Sequence, residues 1–448
     1  MRDDKVMGGW FLAAMGCAFS VGCSAHEDQT RRTLSSSDDN FEVWLVDQSN
    51  SPGKTFGGTL YIYDGEDVMG ADAASATPSD VVAFDGAVAQ LCNASTGANP
   101  VRPHMMVFNS TDSHGILSFV ASGHVVLFDG PTRQPLACFR TQPGTGGARQ
   151  AHAAFPTADD QYIVVANQNG KLLERIRTDY STGTFVHEPA ATLDLVGCFT
   201  PHGVPCQAAG IRPDNAPICP VALPNGQIVV TLRGGGMFVV DPTTTPMSIV
   251  AEYDRTNISG NGCGGAIVQD TLFITSGGGT AANLYTYEVY ALPTSGYSAA
   301  NPVNTPAPVT VDSDDADHRD AHGVTPARGA SAEHLWVADR GLGLITTYDA
   351  TSFARLTEIP LAATGAAKIT PDLLDINPQG NRVFASLRGP NPLSGDAHVS
   401  VGSVPGLGIF RVTESGANGA LHAIVPISNV SSLGVETADA HGVQVRRK

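Results

Sequence analysis

What most constrains this chain is that it repeats. Residues 371–390, PDLLDINPQGNRVFASLRGP, read as a strand, an Asn-Pro-Gln-Gly turn and a second strand ending in Arg-Gly. Related stretches recur at 103–124 (PHMMVFNSTDSHGILSFVASGH), 151–170 (AHAAFPTADDQYIVVANQNG) and 217–236 (PICPVALPNGQIVVTLRGGG). Two more lie at 261–279 (NGCGGAIVQDTLFITSGGG) and 321–343 (AHGVTPARGASAEHLWVADRGLG). Several continue into a third strand with an aromatic or Val before Asp: VVLFD at 125–129, MFVVD at 237–241 and LITTYD at 344–349. Short β-branched and aromatic runs divided by Gly, Pro, Asn and Asp turns are the mark of small antiparallel sheets. Such a unit cannot bury both of its faces alone, so it must stack against its own copies.

Each unit reads as a four-stranded antiparallel sheet, the blade of a β-propeller. Inner strands start near 104, 152, 219, 263, 322 and 372, and a seventh, DAHGVQVR at 439–446, has no strands after it. At the other end FEVWLVDQS (41–49) and TLYIYDG (59–65) look like middle strands lacking an inner one. Joining the two ends removes both exposed sheet edges. The expectation is therefore an all-β chain with a single seven-bladed β-propeller over 41–448, closed by the C-terminal inner strand. Seven blades over this span average about 58 residues, above the ~40–45 of compact repeats, which puts the surplus in loops. The units resemble the YVTN-type repeat and the lactonase-like propellers, whose pattern runs Pro-His-Gly, a strand, a Pro-Asp-Gly turn and a Val-Ala-Asn strand. The likeness extends over most of 41–448, though individual units are degenerate, and it implies an architecture rather than an activity.

The formal net charge of −17, from 43 acidic and 26 basic residues, disfavours a nucleic-acid partner. Residues 7–22, MGGWFLAAMGCAFSVG, are uncharged and follow Arg2 and Lys5, as in a signal peptide spanning 1–22. Ser20-Val21-Gly22-Cys23 resembles a bacterial lipobox, with Ser20 where Leu is usual, which makes Cys23 the candidate lipidation site. Polar residues 23–40 then form a flexible tether. The chain is expected to be an outer-membrane or periplasmic lipoprotein, or secreted, monomeric, and in contact with membrane only through a lipid anchor. Cys92, Cys138, Cys198, Cys206, Cys219 and Cys263 remain, enough for three disulfides in an exported protein. Cys219/Cys263 and Cys198/Cys206 are expected to brace neighbouring loops, leaving Cys92/Cys138; free thiols or metal ligands are the alternative.

Residues at the start of inner strands face the central channel. Those residues include His104, His152, His322, Asp372 and His441, on consecutive blades once the ring is closed. Imidazole and carboxylate are ligands of copper, zinc or iron, so these five are the candidate metal set, with structural histidines as the plain alternative. Insertions expected on the same face bring His202, His318 and His398, and the sequence DSDDADHRD at 312–320 is a candidate calcium rim or a solvated acidic loop. Arg233, Arg340 and Arg388 end second strands, where they suit an anionic ligand or an ion pair with a blade Asp. Two functional classes fit: a metal-dependent oxidoreductase or hydrolase acting at the channel mouth, or a non-enzymatic surface scaffold that binds a protein, glycan or metal for delivery.

Overall fold

The structure, a computed structural model, describes residues 40–448 apart from 278–285, 315–317, 329–332, 364 and 395–398. The signal-peptide and tether expectations, with Cys23, lie outside the described residues, as do Asp315, Asp317 and His398. Seven antiparallel sheets form a seven-bladed β-propeller. Blade 1 joins the chain ends: Ala440–Arg447 is its inner strand, followed by Phe41–Asp47, Thr59–Asp64 and Asp80–Ala83. Its closure runs in register from Phe41 against Arg447 to Val46 against Gly442. Blades 2 to 7 follow in chain order, with inner strands Pro103–Phe108, Ala151–Pro156, Pro217–Ala222, Gly265–Val268, Ala321–Arg328 and Pro371–Ile376.

Because blades stack face to face, a middle strand is covered on both sides and reads as a continuous apolar run. Val43, Trp44, Leu45 and Val46 are all fully buried in blade 1, and Trp44 meets Phe108 of blade 2 edge-on at 5.0 Å. The surplus length is not all loop, as the sequence led us to expect. A helix, Ala87–Thr96, packs on the outer strand of blade 2, Pro135–Arg140, and the Cys92–Cys138 disulfide fastens it there. The 192–217 connection adds the short strand Leu193–Asp194 to blade 3, and the Cys198–Cys206 disulfide closes the turn that follows.

One irregularity recurs and positions the site. In six blades the pairing of the inner strand with its neighbour slips at the second or third residue, so that the inner strand carries an extra residue there. Such a β-bulge bends the strand and re-aims the side chains at that point. The bulged residues are His441, His104-Met105, His152, Ile218-Cys219, His322-Gly323 and Asp372-Leu373.

Candidate metal centre

A hydroxyl on the second strand holds several of these channel-lining segments. Ser386 Oγ accepts from Leu373 N at 3.0 Å and donates to the His441 carbonyl at 2.5 Å. Thr275 Oγ1 accepts from Gly264 N at 3.0 Å and donates to the His322 carbonyl at 2.6 Å. Ser118 relates Met105 N to the His152 carbonyl in the same way, at 3.3 and 2.9 Å. Each hydroxyl thus ties its own inner strand to the channel residue of the next blade. Sequence reasoning missed these residues, although the signal was available: a Ser or Thr recurs as the penultimate residue of the strands HGILSF, TLFITS and RVFASL. The glycine after a channel residue serves the same approach. A Cβ at Gly323 would lie 2.2 Å from the Asp372 carbonyl, and one at Gly264 would lie 2.2 Å from the His322 carbonyl.

The five expected ligands do gather at the channel, but not around one point. His104 stacks on His441 with ring centroids 3.7 Å apart and meets His152 edge-on at 4.7 Å. Asp372, fully buried, belongs to an ion-pair network. Arg388 Nη1 donates to its Oδ2 at 2.5 Å, and His322 Nδ1 approaches Oδ1 at 2.6 Å in an ion contact rather than a linear hydrogen bond. Arg340 Nη1 stands at 3.5 Å and His441 Nε2 at 3.6 Å. Arg388 also holds Asp439 at 2.6 and 2.8 Å, and Arg340 holds Asp320 at 2.5 Å. His322, Asp372 and His441 offer ligand atoms within 4.8 Å of one another, yet a cation there would sit against two buried guanidiniums. That group is better satisfied as it stands.

A second group is His152, Cys219 and Cys263, whose ligand atoms also lie within 4.8 Å of one another. Here the structure corrects the expectation of a third disulfide. Cys219 and Cys263 are buried free thiols with their sulfurs 2.8 Å apart, beyond the ~2.05 Å of a bond, and Met105 Sδ packs 3.9 and 3.8 Å from them. His152 Nδ1 lies 3.1 Å from the Ile218 carbonyl, which can only accept, so Nδ1 carries the proton and Nε2 keeps its lone pair. Metal-binding histidines are oriented by this kind of bond.

Electrostatics separate the groups of the cluster. Burial drives the Cys219 thiol well up, with the neighbouring Cys263 adding to it. The Cys219 hydrogen bond pulls the Cys263 thiol well down against burial, helped by His322 and His152. Burial keeps His104, His152 and His441 below the ordinary histidine range. Burial and Arg340 also oppose protonation of His322, but Asp372 and Cys263 outweigh them and raise it to about 9. Burial opposes ionisation of Asp372, yet Arg388, His441 and His322 hold its carboxyl well below the usual range.

The remaining candidates lie elsewhere. His202 and His318 are exposed and do not line the channel cavity. Arg233 is part-exposed and donates to Asp214 at 2.6 Å. The calcium expectation for 312–320 finds no support in its described carboxylates, which guanidiniums already satisfy. Asp312 accepts from Arg355 at 2.7 Å, Asp314 from Arg319 at 3.3 Å, and Asp320 from Arg340.

No protein-family model matches the chain, and no curated relative does. Among solved structures it is similar to a protein from Lactobacillus plantarum, with 13% identity, 91% of this chain and 99% of that one covered, and a TM-score of 0.56. It is also similar to a putative 6-phosphogluconolactonase from Bacteroides fragilis, with 11% identity, 92% and 99% coverage and a TM-score of 0.53. A further putative 6-phosphogluconolactonase, from Bacteroides uniformis, shows 12% identity, 91% and 99% coverage and a TM-score of 0.53. At such identities the likeness is one of fold. The resemblance to lactonase-like propellers therefore holds for the architecture.

Proposed function

We propose that this chain is an exported propeller whose channel mouth binds one soft transition-metal ion, copper(I) or zinc. The ligands are Cys219 Sγ, Cys263 Sγ and His152 Nε2. The observation that carries the reading is the convergence of these three buried donors, with the imidazole already oriented by the Ile218 carbonyl. Two thiolate sulfurs and an imidazole suit a soft or borderline ion, and a thioether beside them favours copper(I). His322, beside Cys263, and His104 complete the polar surroundings. A bound ion would supply Lewis-acid or one-electron chemistry; the chain's own groups would orient and hydrogen-bond what enters the cavity above it.

Export is supported by the Cys92–Cys138 and Cys198–Cys206 disulfides, because such bonds persist in oxidising compartments. The same argument bears on the metal. In such a compartment two thiols in contact oxidise to a disulfide unless something holds them, and a metal ion would do so. The test is elemental analysis with thiol counting on protein isolated from the periplasm or medium. The expected result is about one copper or zinc per chain with two thiols titratable after denaturation, and loss of the metal in Cys219→Ser/Cys263→Ser. Metal-free protein that yields no free thiol and takes up no metal after mild reduction would overturn the reading.

A further inference from the structure

Above the metal-ligand group lies a cavity of about 570 Å³ whose charge runs against that of the chain. The protein carries a net charge of −17, yet no Asp or Glu lines this cavity among the described residues. Its walls include Arg102, Arg149 and Arg340 together with His104, His152 and His441. Arg340 is paired with Asp320. Arg102 and Arg149 are not: neither forms an ion pair among the described residues. Asp439, the carboxylate that favours the charge on Arg102, is itself clasped by Arg388.

Both arginines flank the turn between the second and third strands of blade 2, at 120–123. The Arg102 carbonyl accepts from Val120 N at 3.0 Å, and Arg149 Nε donates to the carbonyl of Thr141, whose own N bonds Gly123 O. Arg140 joins them there, with Nε on the Ser122 carbonyl at 3.1 Å. The Arg140 and Arg149 guanidiniums bear on one another as like charges. Backbone carbonyls do not cancel a full charge, so an anion entering from outside gains by meeting these guanidiniums.

Two further features point into the same space. His104 is 2% exposed, and both of its ring nitrogens are without a hydrogen-bond partner. The buried Arg102 Nε is likewise unsatisfied, and Arg102 itself has φ 60°, a left-handed backbone that costs a non-glycine residue energy and recurs at ligand sites. Buried polar groups are nearly always satisfied, so unmet donors at a cavity wall call for a ligand that supplies acceptors.

We propose that this cavity binds a small organic dianion, a dicarboxylate or a phosphate monoester, gripped by the guanidiniums of Arg102 and Arg149 with His104 donating to it from the wall. Two unpaired guanidiniums match two negative charges, and their planar forks suit carboxylate and phosphate oxygens. The volume falls in the range of small-molecule sites, and Val120, Ala121, Ile218 and Leu393 offer apolar contact for a short carbon skeleton. The inference stands on the arginines and His104, and does not require the metal.

Calorimetric titration with succinate, malate and glycerol 3-phosphate, with glycerol as the uncharged control, tests it. Both anion types are expected to bind and glycerol not to. Arg102→Gln and Arg149→Gln should each weaken binding by about tenfold or more, and the double variant should abolish it. Arg411→Gln, an exposed site on the third strand of blade 7, should leave it unchanged. The same titrations on Cys219→Ser/Cys263→Ser separate the two readings: retained affinity supports the arginine site whether or not metal was ever bound. Absence of binding by every anion at millimolar concentration would overturn the proposal. So would affinity that the folded arginine variants retain, or affinity that disappears with the cysteines.

Discussion

Replacing Asp372 with Asn tests the ion-pair network at the base of the channel. Asp372 is fully buried, and its carboxylate meets Arg388 at 2.5 Å, His322 at 2.6 Å and Arg340 at 3.5 Å. Removing one member of a buried network leaves its partners desolvated and costs about 3–5 kcal/mol. Part of that cost must vary with pH. His322 is raised from 6.5 to about 9 chiefly against burial by this carboxylate. A raised histidine stabilises the fold fully below its unfolded value, near 6.5, and the stabilisation is lost as pH rises through 9. The shift corresponds to about 3 kcal/mol. Arg388 keeps Asp439 in the variant, so the pH-independent remainder should be small.

The deficit of Asp372→Asn should therefore be about 3–5 kcal/mol at pH 6.5 and shrink by about 3 kcal/mol by pH 10. Urea unfolding of chelator-treated protein, followed through the buried Trp44 and Trp336, measures it without the ionic screening that guanidinium brings. A deficit under about 1 kcal/mol at pH 6.5, or one that does not change between these pH values, would refute the network as described.

Two other perturbations have signs that can be worked out. Burial lifts the Asp47 carboxyl to about 6 although it accepts from Ser49 N, Ser49 Oγ and Asp439 N at 3.0, 2.7 and 2.9 Å. The folded state then holds this proton more tightly than the unfolded chain, so stability is lost as pH rises from about 4 through 6, by about 3 kcal/mol in all. Asp47→Asn mimics the neutral form and should be the more stable protein at pH 7 and its equal at pH 4; a variant weaker at pH 7 would contradict this. Removing the disulfides as Cys92→Ser/Cys138→Ser and Cys198→Ser/Cys206→Ser should cost unequal amounts, because the loops they close span separations of 46 and 8 residues. Chain entropy gives about 4 and about 2.6 kcal/mol, and urea midpoints in the reverse order would count against that account.

The number of blades and the closure of the ring were readable in the chain because strand and turn signals are local. Val-Ile-aromatic runs between Gly, Pro and Asn turns declare themselves over about twenty residues, and the orphaned strands at 41–49 and 439–446 had only each other to pair with. The histidines could be placed on the channel for the same reason, since His322-Gly323 and His441-Gly442 repeat one position of one unit. The role of the cysteines was not readable. An even count in an exported chain argues for pairing, and nothing local to Cys219 or Cys263 tells of His152 or Met105, which come from other blades.

The sequence by itself determined an all-β repeat, its seven-fold ring and the residues that begin each inner strand. Tertiary structure alone decided which of those residues share a point in space. The bulges set how far each side chain reaches into the channel, and the inter-blade hydroxyl bonds of Ser118, Thr275 and Ser386 set how closely neighbouring strands approach. Arg340 and Arg388 were withdrawn into ion pairs while Arg102 and Arg149 were left without one. Pairing of that kind depends on distances between blades far apart in sequence, and these exist only once the ring has closed.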